Sequence, residues 1–132
     1  IEFKKASSQK DFFMCMEVRG LALMMNNMFS RIQIDQTCLH YLAIEDQKTI
    51  TACRAIVKKN ATHLGHVCVL KKYRKSGIGK KLLNYVLNDI KGEFYLNIQV
   101  HTIPFYKSLG FEAYGPIFQD AGIDHQKMKI KI

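Results

Sequence analysis

No stretch of this chain approaches the roughly 18 uncharged apolar residues that a membrane-spanning helix needs. The start, Ile1-Glu2-Phe3-Lys4-Lys5, is too polar for a secretory signal. These absences lead us to expect a soluble, cytoplasmic protein. Without an initiator methionine, residues preceding Ile1 are expected to be missing. No C-x-x-C pair occurs among Cys15, Cys38, Cys53 and Cys68, which argues against a zinc site or a dithiol redox motif. The four thiols are expected to be reduced and mostly buried as small hydrophobes, in keeping with a cytosolic setting, and no metal is expected. Prolines are confined to the last third, at Pro104 and Pro116, and there is no repeat, low-complexity tract or linker. The 132 residues, 48% of them hydrophobic, therefore read as a single domain, residues 1–132, with one core.

Acidic residues are scarce, 11 against 20 Lys and Arg, for a net charge of +9. Six of the twenty cations, Lys71, Lys72, Arg74, Lys75, Lys80 and Lys81, crowd around a glycine pair. Such focused charge suits a compact polyphosphate as well as a nucleic-acid backbone. Against a nucleic-acid module, the run is short, and Tyr73 is its only aromatic for base stacking.

Ile1 to Ala6 reads as a first strand, and Ser7-Ser8 offers an N-cap for a helix through about Met25. The patch Met24-Met25-Asn26-Asn27-Met28 reads as adaptable packing or pocket lining. Cys38 to Lys58 alternates around Glu45-Asp46-Gln47-Lys48 and predicts a β-hairpin. The segment from His63 to Leu70 fits a strand buried on both faces. Ile78, Leu82, Leu83, Val86, Leu87 and Ile90 share one face of a helix ending near Gly92. A strand over Phe94 to Ile98, a short helix from His101 to Leu109 closed by Gly110, and strands over Phe111 to Phe118 and Gln126 to Ile132 complete the order. The fold class is α/β, with a βαβ-like unit in the middle.

The strongest signal is Val67-Cys68-Val69-Leu70-Lys71-Lys72-Tyr73-Arg74-Lys75-Ser76-Gly77-Ile78-Gly79-Lys80-Lys81-Leu82-Leu83. A strand enters a basic Arg-x-x-Gly-x-Gly turn that opens onto an amphipathic helix. Glycines let several N–H groups converge, and a helix N-terminus adds unsatisfied donors with partial positive charge, which together make a pyrophosphate cradle. Arg74, Lys75, Lys80 and Lys81 add side-chain charge. A tight turn for close helix–strand packing is the plainer alternative. A P-loop would need Gly-x-x-x-x-Gly-Lys-Ser/Thr, and the dinucleotide fingerprint a third glycine and a downstream acid; neither is present.

The run from Val67 to Leu83 resembles the acetyl-CoA-binding motif of GNAT acyltransferases, and Pro104-Phe105-Tyr106-Lys107-Ser108-Leu109-Gly110-Phe111 resembles their second hallmark. Segments Leu96 to His101 and Phe118 to Met128 are similar to the ElaA/YjcF-like branch, so that the resemblance covers about residues 64–128. It implies the acyl-CoA N-acyltransferase fold: a central, mostly antiparallel mixed sheet with a splayed strand pair and flanking helices. It also implies direct transfer of an acetyl group from acetyl-CoA to an amine, with acetyl-CoA and the amine as partners, neither nucleic acid nor membrane among them, and pairing of a late strand as a route to a homodimer. A non-catalytic CoA-binding or regulatory domain is the alternative.

Residue by residue, the resemblance places the pantetheine arm on the backbone of Val67, Cys68 and Val69, with the N–H near Val69 polarising the thioester carbonyl. The pyrophosphate falls to Arg74, Lys75, Ser76, Gly77, Ile78, Gly79 and Lys80, and Gln99 stands where many relatives carry Asn as a pantetheine contact. Tyr106 matches the tyrosine that protonates the departing thiolate; core packing is its competing role. Candidates for the amine-side base are His66, Glu45, Asp120 and His125, with His66 first because it borders the splayed strand. An acyl-cysteine at Cys68 is disfavoured, since no group that would activate its thiolate can be named.

Overall fold

A computed structural model describes residues 1–18 and 38–132. Continuation of the first helix to Met25, the methionine patch and the side chain of His66 lie outside the described residues. Strand β1 (Glu2–Lys5) leads to helix α1 (Gln9–Val18), and β2 (Cys38–Glu45), β3 (Lys48–Val57) and β4 (Thr62–Val69) follow. A 3-10 turn (Lys71–Tyr73) joins β4 to α2 (Ile78–Asp89), and β5 (Glu93–Gln99), a second 3-10 turn (Val100–Thr102), α3 (Ile103–Ser108), β6 (Glu112–Asp120) and β7 (Ile123–Lys131) complete the order. No helix among the described residues is long and apolar enough to cross a membrane.

The strands form one sheet in the order β1-β2-β3-β4-β5-β7-β6, antiparallel throughout except for β4 against β5. Neighbouring side chains along a strand point to opposite faces, so Tyr41 and Leu42 separate two layers. Tyr41 joins Leu82, Leu83, Val86, Phe94, Leu96, Tyr106, Phe111 and Met128 in the main core, beneath α2 and α3. Leu42 and Ala52 pack with Phe12 and Cys15 of α1 on the other face.

Local chemistry accounts for the ends of these elements. Ser8 caps α1, its Oγ accepting the Asp11 N–H at 3.1 Å, while Asp11 Oδ2 accepts the Ser7 N–H at 3.0 Å and meets Lys4 Nζ at 3.1 Å. Burial opposes the charged Asp11 carboxylate, but the Ser7 N–H, the Lys4 ammonium and the Ser7 hydroxyl outweigh it and hold the carboxyl below its ordinary value. A depressed carboxyl stabilises the fold above its unfolded value of 3.8 and loses that contribution as pH falls through the folded value. Asp11→Asn should therefore cost about 1–2 kcal/mol at neutral pH. The difference from the native protein should begin to narrow as melts are taken below pH 3.8 and close only below the lower, folded value.

The β2–β3 connection is a two-residue turn with Asp46 and Gln47 both at positive φ (51° and 65°), the twist that suits a tight hairpin. The last hairpin is longer than its sequence predicts. Strands β6 and β7 extend to Asp120 and from Ile123 across a turn with Ala121 and Gly122 at φ 53° and 77°. Within edge strand β6 the ladder breaks between Tyr114 and Phe118, at Gly115-Pro116, and buried Gln126 fills the gap by donating Nε2 to the carbonyls of Tyr114 (2.8 Å) and Gly115 (3.1 Å).

One expectation is corrected. β4 is not buried on both faces: Val67, Cys68 and Val69 are only half-buried. The reason lies in its pairing with β5, which consists of Thr62 with Phe94 and His63 with Tyr95.

Candidate functional site

From Leu64 onward no pairing joins β4 to β5 among the described residues, although β4 stays bonded to β3 as far as Val69. Opposite this opening, β3 advances two residues from Ala52 to Arg54 while β4 advances three, from Cys68 back to Gly65. The extra residue is a β-bulge on β4, and a bulge bends its strand and raises the local twist. The open edge offers backbone donors and acceptors to an extended ligand, as a sheet edge does to an added strand. Gly65, isolated within a strand pattern, is the signal in the sequence that could have disclosed this bulge.

The open edge runs directly into the basic turn. Arg74 Nε donates to the Val69 carbonyl at 3.1 Å, so its remaining guanidinium nitrogens are the ones left to meet an anion. Ser76 uses its hydroxyl to donate to the Tyr73 carbonyl, within the turn. Lys75 and Gly77 adopt left-handed backbone (φ 66° and 84°), and Gly77 caps α2 in that conformation. The first bond into α2 runs from the Lys81 N–H to the Gly77 carbonyl at 3.1 Å. The N–H groups of Ile78, Gly79 and Lys80 thus sit in a first turn that lacks intrahelical partners. Among the described residues no side chain caps this end, and no acidic residue occupies its first turn, where one would ordinarily complement the helix dipole. Lys75, Lys80 and Lys81 are exposed around it. The arrangement is a cationic, donor-rich end with room for an anion.

The glycines divide the work. A Cβ on Gly77 would meet nothing within 4 Å among the described residues, so that position is open toward a ligand. A Cβ on Gly79 would lie 3.1 Å from Val69 Cγ2 and 3.7 Å from Phe105 Cζ, so Gly79 lets α2 close on β4 and α3. Ile78 is buried against Ala43 and Ile50, and only its backbone can face a ligand. The contact of Gly79 with Phe105 also brings the two sequence hallmarks side by side.

Tyr106 lies in the main core, its ring edge-on to Phe105 (5.0 Å) and Phe111 (5.8 Å). Burial, reinforced by nearby Cys53, pushes its phenol up to about 12. Gln99 ends β5 with its side chain exposed, opposite His125 of β7. The candidate bases are not gathered in one place. Asp120 and His125 lie at the β6–β7 tip beside the end of β5, Glu45 lies at the β2–β3 turn, and His66 stands at the β4 bulge. Cys68 directs its thiol to the Ala52 carbonyl at 3.8 Å, a contact that does nothing to stabilise a thiolate.

Comparison with known proteins gives a consistent picture. A family model described as an acetyltransferase (GNAT) domain matches residues 16–132. YjcF of Bacillus subtilis, described as an uncharacterized N-acetyltransferase, is 31% identical over 101 residues, which span 73% of this chain and 72% of that protein. Among solved structures, Escherichia coli ElaA matches with a TM-score of 0.77 at 19% identity, covering 98% of each chain. An aminoglycoside 6'-N-acetyltransferase complexed with coenzyme A gives 0.78 at 14% identity over 98% of this chain and 96% of that one. At such identities the two structures speak for the shared fold.

Proposed function

The chain belongs to the GNAT acetyltransferase family, and from that premise we propose that it carries acetyl-CoA in the β4–β5 opening and transfers its acetyl group directly to an amine. The observation that carries this reading is the open edge of β4 running into the uncapped N-terminus of α2. The residues present fit the cofactor. Backbone groups of Val67, Cys68 and Val69 can pair with an extended amide-bearing arm. The N–H groups of Gly77, Ile78, Gly79 and Lys80, with Arg74, Lys75 and the Lys80 ammonium, can neutralise a pyrophosphate, while Ser76 holds the turn. Gln99 lines the far side of the opening as a polar contact.

When bound, the thioester supplies the acetyl group, and the chain's own groups do the rest. The Val69 N–H polarises the carbonyl as an oxyanion donor. Tyr106 holds its proton for the departing sulfur, and His66, at the bulge, is the proposed acceptor of the amine proton. A neutral amine attacks with its lone pair, a C–N bond replaces the C–S bond, and the nitrogen gives up one proton while the released thiolate takes one up. The setting proposed is cytoplasmic. A homodimer built along edge strand β6 would pair through the stretches on either side of Pro116.

Direct attack needs no enzyme thiol. Cys68→Ala should therefore keep amine-dependent release of free thiol from acetyl-CoA within about threefold of the native rate, a change worth roughly 0.6 kcal/mol in the barrier. Complete loss of turnover in a folded variant, or an acetylated Cys68 in the mass spectrum of the native enzyme, would replace direct attack with an acyl-enzyme route.

A further inference from the structure

A groove of about 1530 Å³ lies between α1 and the β2–β3 turn, on the face of the sheet opposite α2. Its lining holds five of the chain's eleven acidic residues, Glu2, Asp11, Glu17, Glu45 and Asp46, in a protein whose net charge is +9. Lys4, Lys10 and Lys48 also line it, and Lys4 is engaged with Asp11. Setting that pair aside leaves, among the described residues, four side-chain carboxylates against two lysine ammonium groups and the Ile1 amine, with no ion pair joining them. Thr49, on the groove wall, is 7% exposed, and its Oγ1 has no hydrogen-bond partner among the described residues. A buried hydroxyl left unpartnered carries a desolvation cost that a ligand can relieve.

The groove reaches the reaction centre through Leu70. That residue lines it, follows Val69 at the open end of β4, and donates its N–H to the Ile50 carbonyl (2.9 Å), beside Thr49. Leu70 directly follows Val69, whose N–H is the proposed oxyanion donor, so the groove comes within one residue, about 3.3 Å of chain, of the reacting carbonyl. A short molecule with a cation in the groove and a second amine at its other end can therefore reach from the acidic wall to the thioester.

We propose that this groove selects the acceptor, and that the acceptor is a small amine carrying a second positive charge, an aliphatic diamine or polyamine. The proposal rests on the acetyltransferase reading. The distal ammonium lies among Glu17, Glu45 and Asp46 with Thr49 Oγ1 as an acceptor, while the proximal amine, in its neutral form, reaches the thioester and reacts as described above. Glu45, on the groove wall, raises the phenol of Tyr73, in the turn that follows β4, above its ordinary value.

The test compares 1,4-diaminobutane with n-butylamine, of matching chain length and one charge fewer, by calorimetric binding and by thiol release from acetyl-CoA. The native protein should prefer the diamine by about tenfold in Kd and in kcat/KM. The preference should shrink as ionic strength rises from about 0.05 to about 0.5 M. Glu45→Gln with Asp46→Asn, which keeps shape and removes two charges, should abolish it. Thr49→Val should weaken diamine binding while leaving the melting temperature equal or higher, an outcome that a purely structural Thr49 would not give. Equal binding and equal turnover of the two amines would overturn the acceptor class and leave the acetyltransferase reading intact. Selective diamine binding without thiol release would uphold the groove and overturn the transfer.

Discussion

Gly77→Asp is expected to abolish the rise in melting temperature that acetyl-CoA produces, in a protein that remains folded. At a cofactor concentration of about 100 times Kd the native protein should gain about 2.7 kcal/mol, or roughly 10 °C for a chain of this size. A Cβ at Gly77 has no neighbour within 4 Å among the described residues, so a side chain there meets no steric barrier from them. What it adds is a negative charge at the mouth of a cationic helix end. Backbone strain at φ 84° is controlled by Gly77→Asn, because Asn tolerates left-handed backbone and is uncharged. The Asn variant should keep most of the shift and the Asp variant none. Gly79→Asp should also remove the shift, but by a different cause, since its Cβ presses on Val69 Cγ2 at 3.1 Å and lowers stability without cofactor as well. Unchanged shifts in both Asp variants would move the cofactor away from this helix end.

Tyr106→Phe should lower turnover about 10²-fold with little change in acetyl-CoA affinity. The ring contacts to Phe105 and Phe111 survive the change, so packing is preserved. A phenol pushed up to about 12 is a weaker acid than a free thiol at about 8.5, and full proton transfer to sulfur in the ground state runs uphill by about 3.5 units. The hydroxyl is then most effective as a hydrogen-bond donor to charge developing on the leaving sulfur, and loss of one such donor costs about 10²–10³ in rate. The same burial keeps Tyr106 protonated well past pH 10, so its ionisation should leave no limb in the pH–rate profile below that pH. Near-normal turnover would make Tyr106 a packing residue, and weakened binding at unchanged turnover would make it a cofactor contact.

What could be read along the chain was what local chemistry decides. Leu82, Leu83, Val86 and Leu87 announced the buried face of α2, and Gly77 and Gly79 marked the turn before it; all four apolar residues are buried in the structure. The β-hairpin over Cys38 to Lys58 was equally legible from its alternation. The exposed edge of β4 was not, because an apolar run such as Val67-Cys68-Val69-Leu70 looks the same whether its neighbour strand pairs or splays. The extension of β6 and β7 was hidden by Ala121 at positive φ, a conformation Ala rarely signals. Insertion of β7 between β5 and β6 depends on distant pairing and left no local mark. The division of roles within the glycine motif emerged only with neighbours in place: Gly77 faces open space, Gly79 serves close packing and Ile78 belongs to the core. The acidic groove was invisible for a similar reason, since Glu17, Glu45 and Asp46 meet only when α1 packs beside the β2–β3 turn.

The central claim, direct transfer from acetyl-CoA to an amine, is tested most directly by following free thiol from acetyl-CoA across a panel of amines and weighing the acceptor by mass spectrometry. The account predicts thiol release that depends on the amine and matches N-acetylated product one for one. Tight acetyl-CoA binding with no amine-dependent thiol from any member of the panel would contradict it and leave a CoA-binding domain without catalysis.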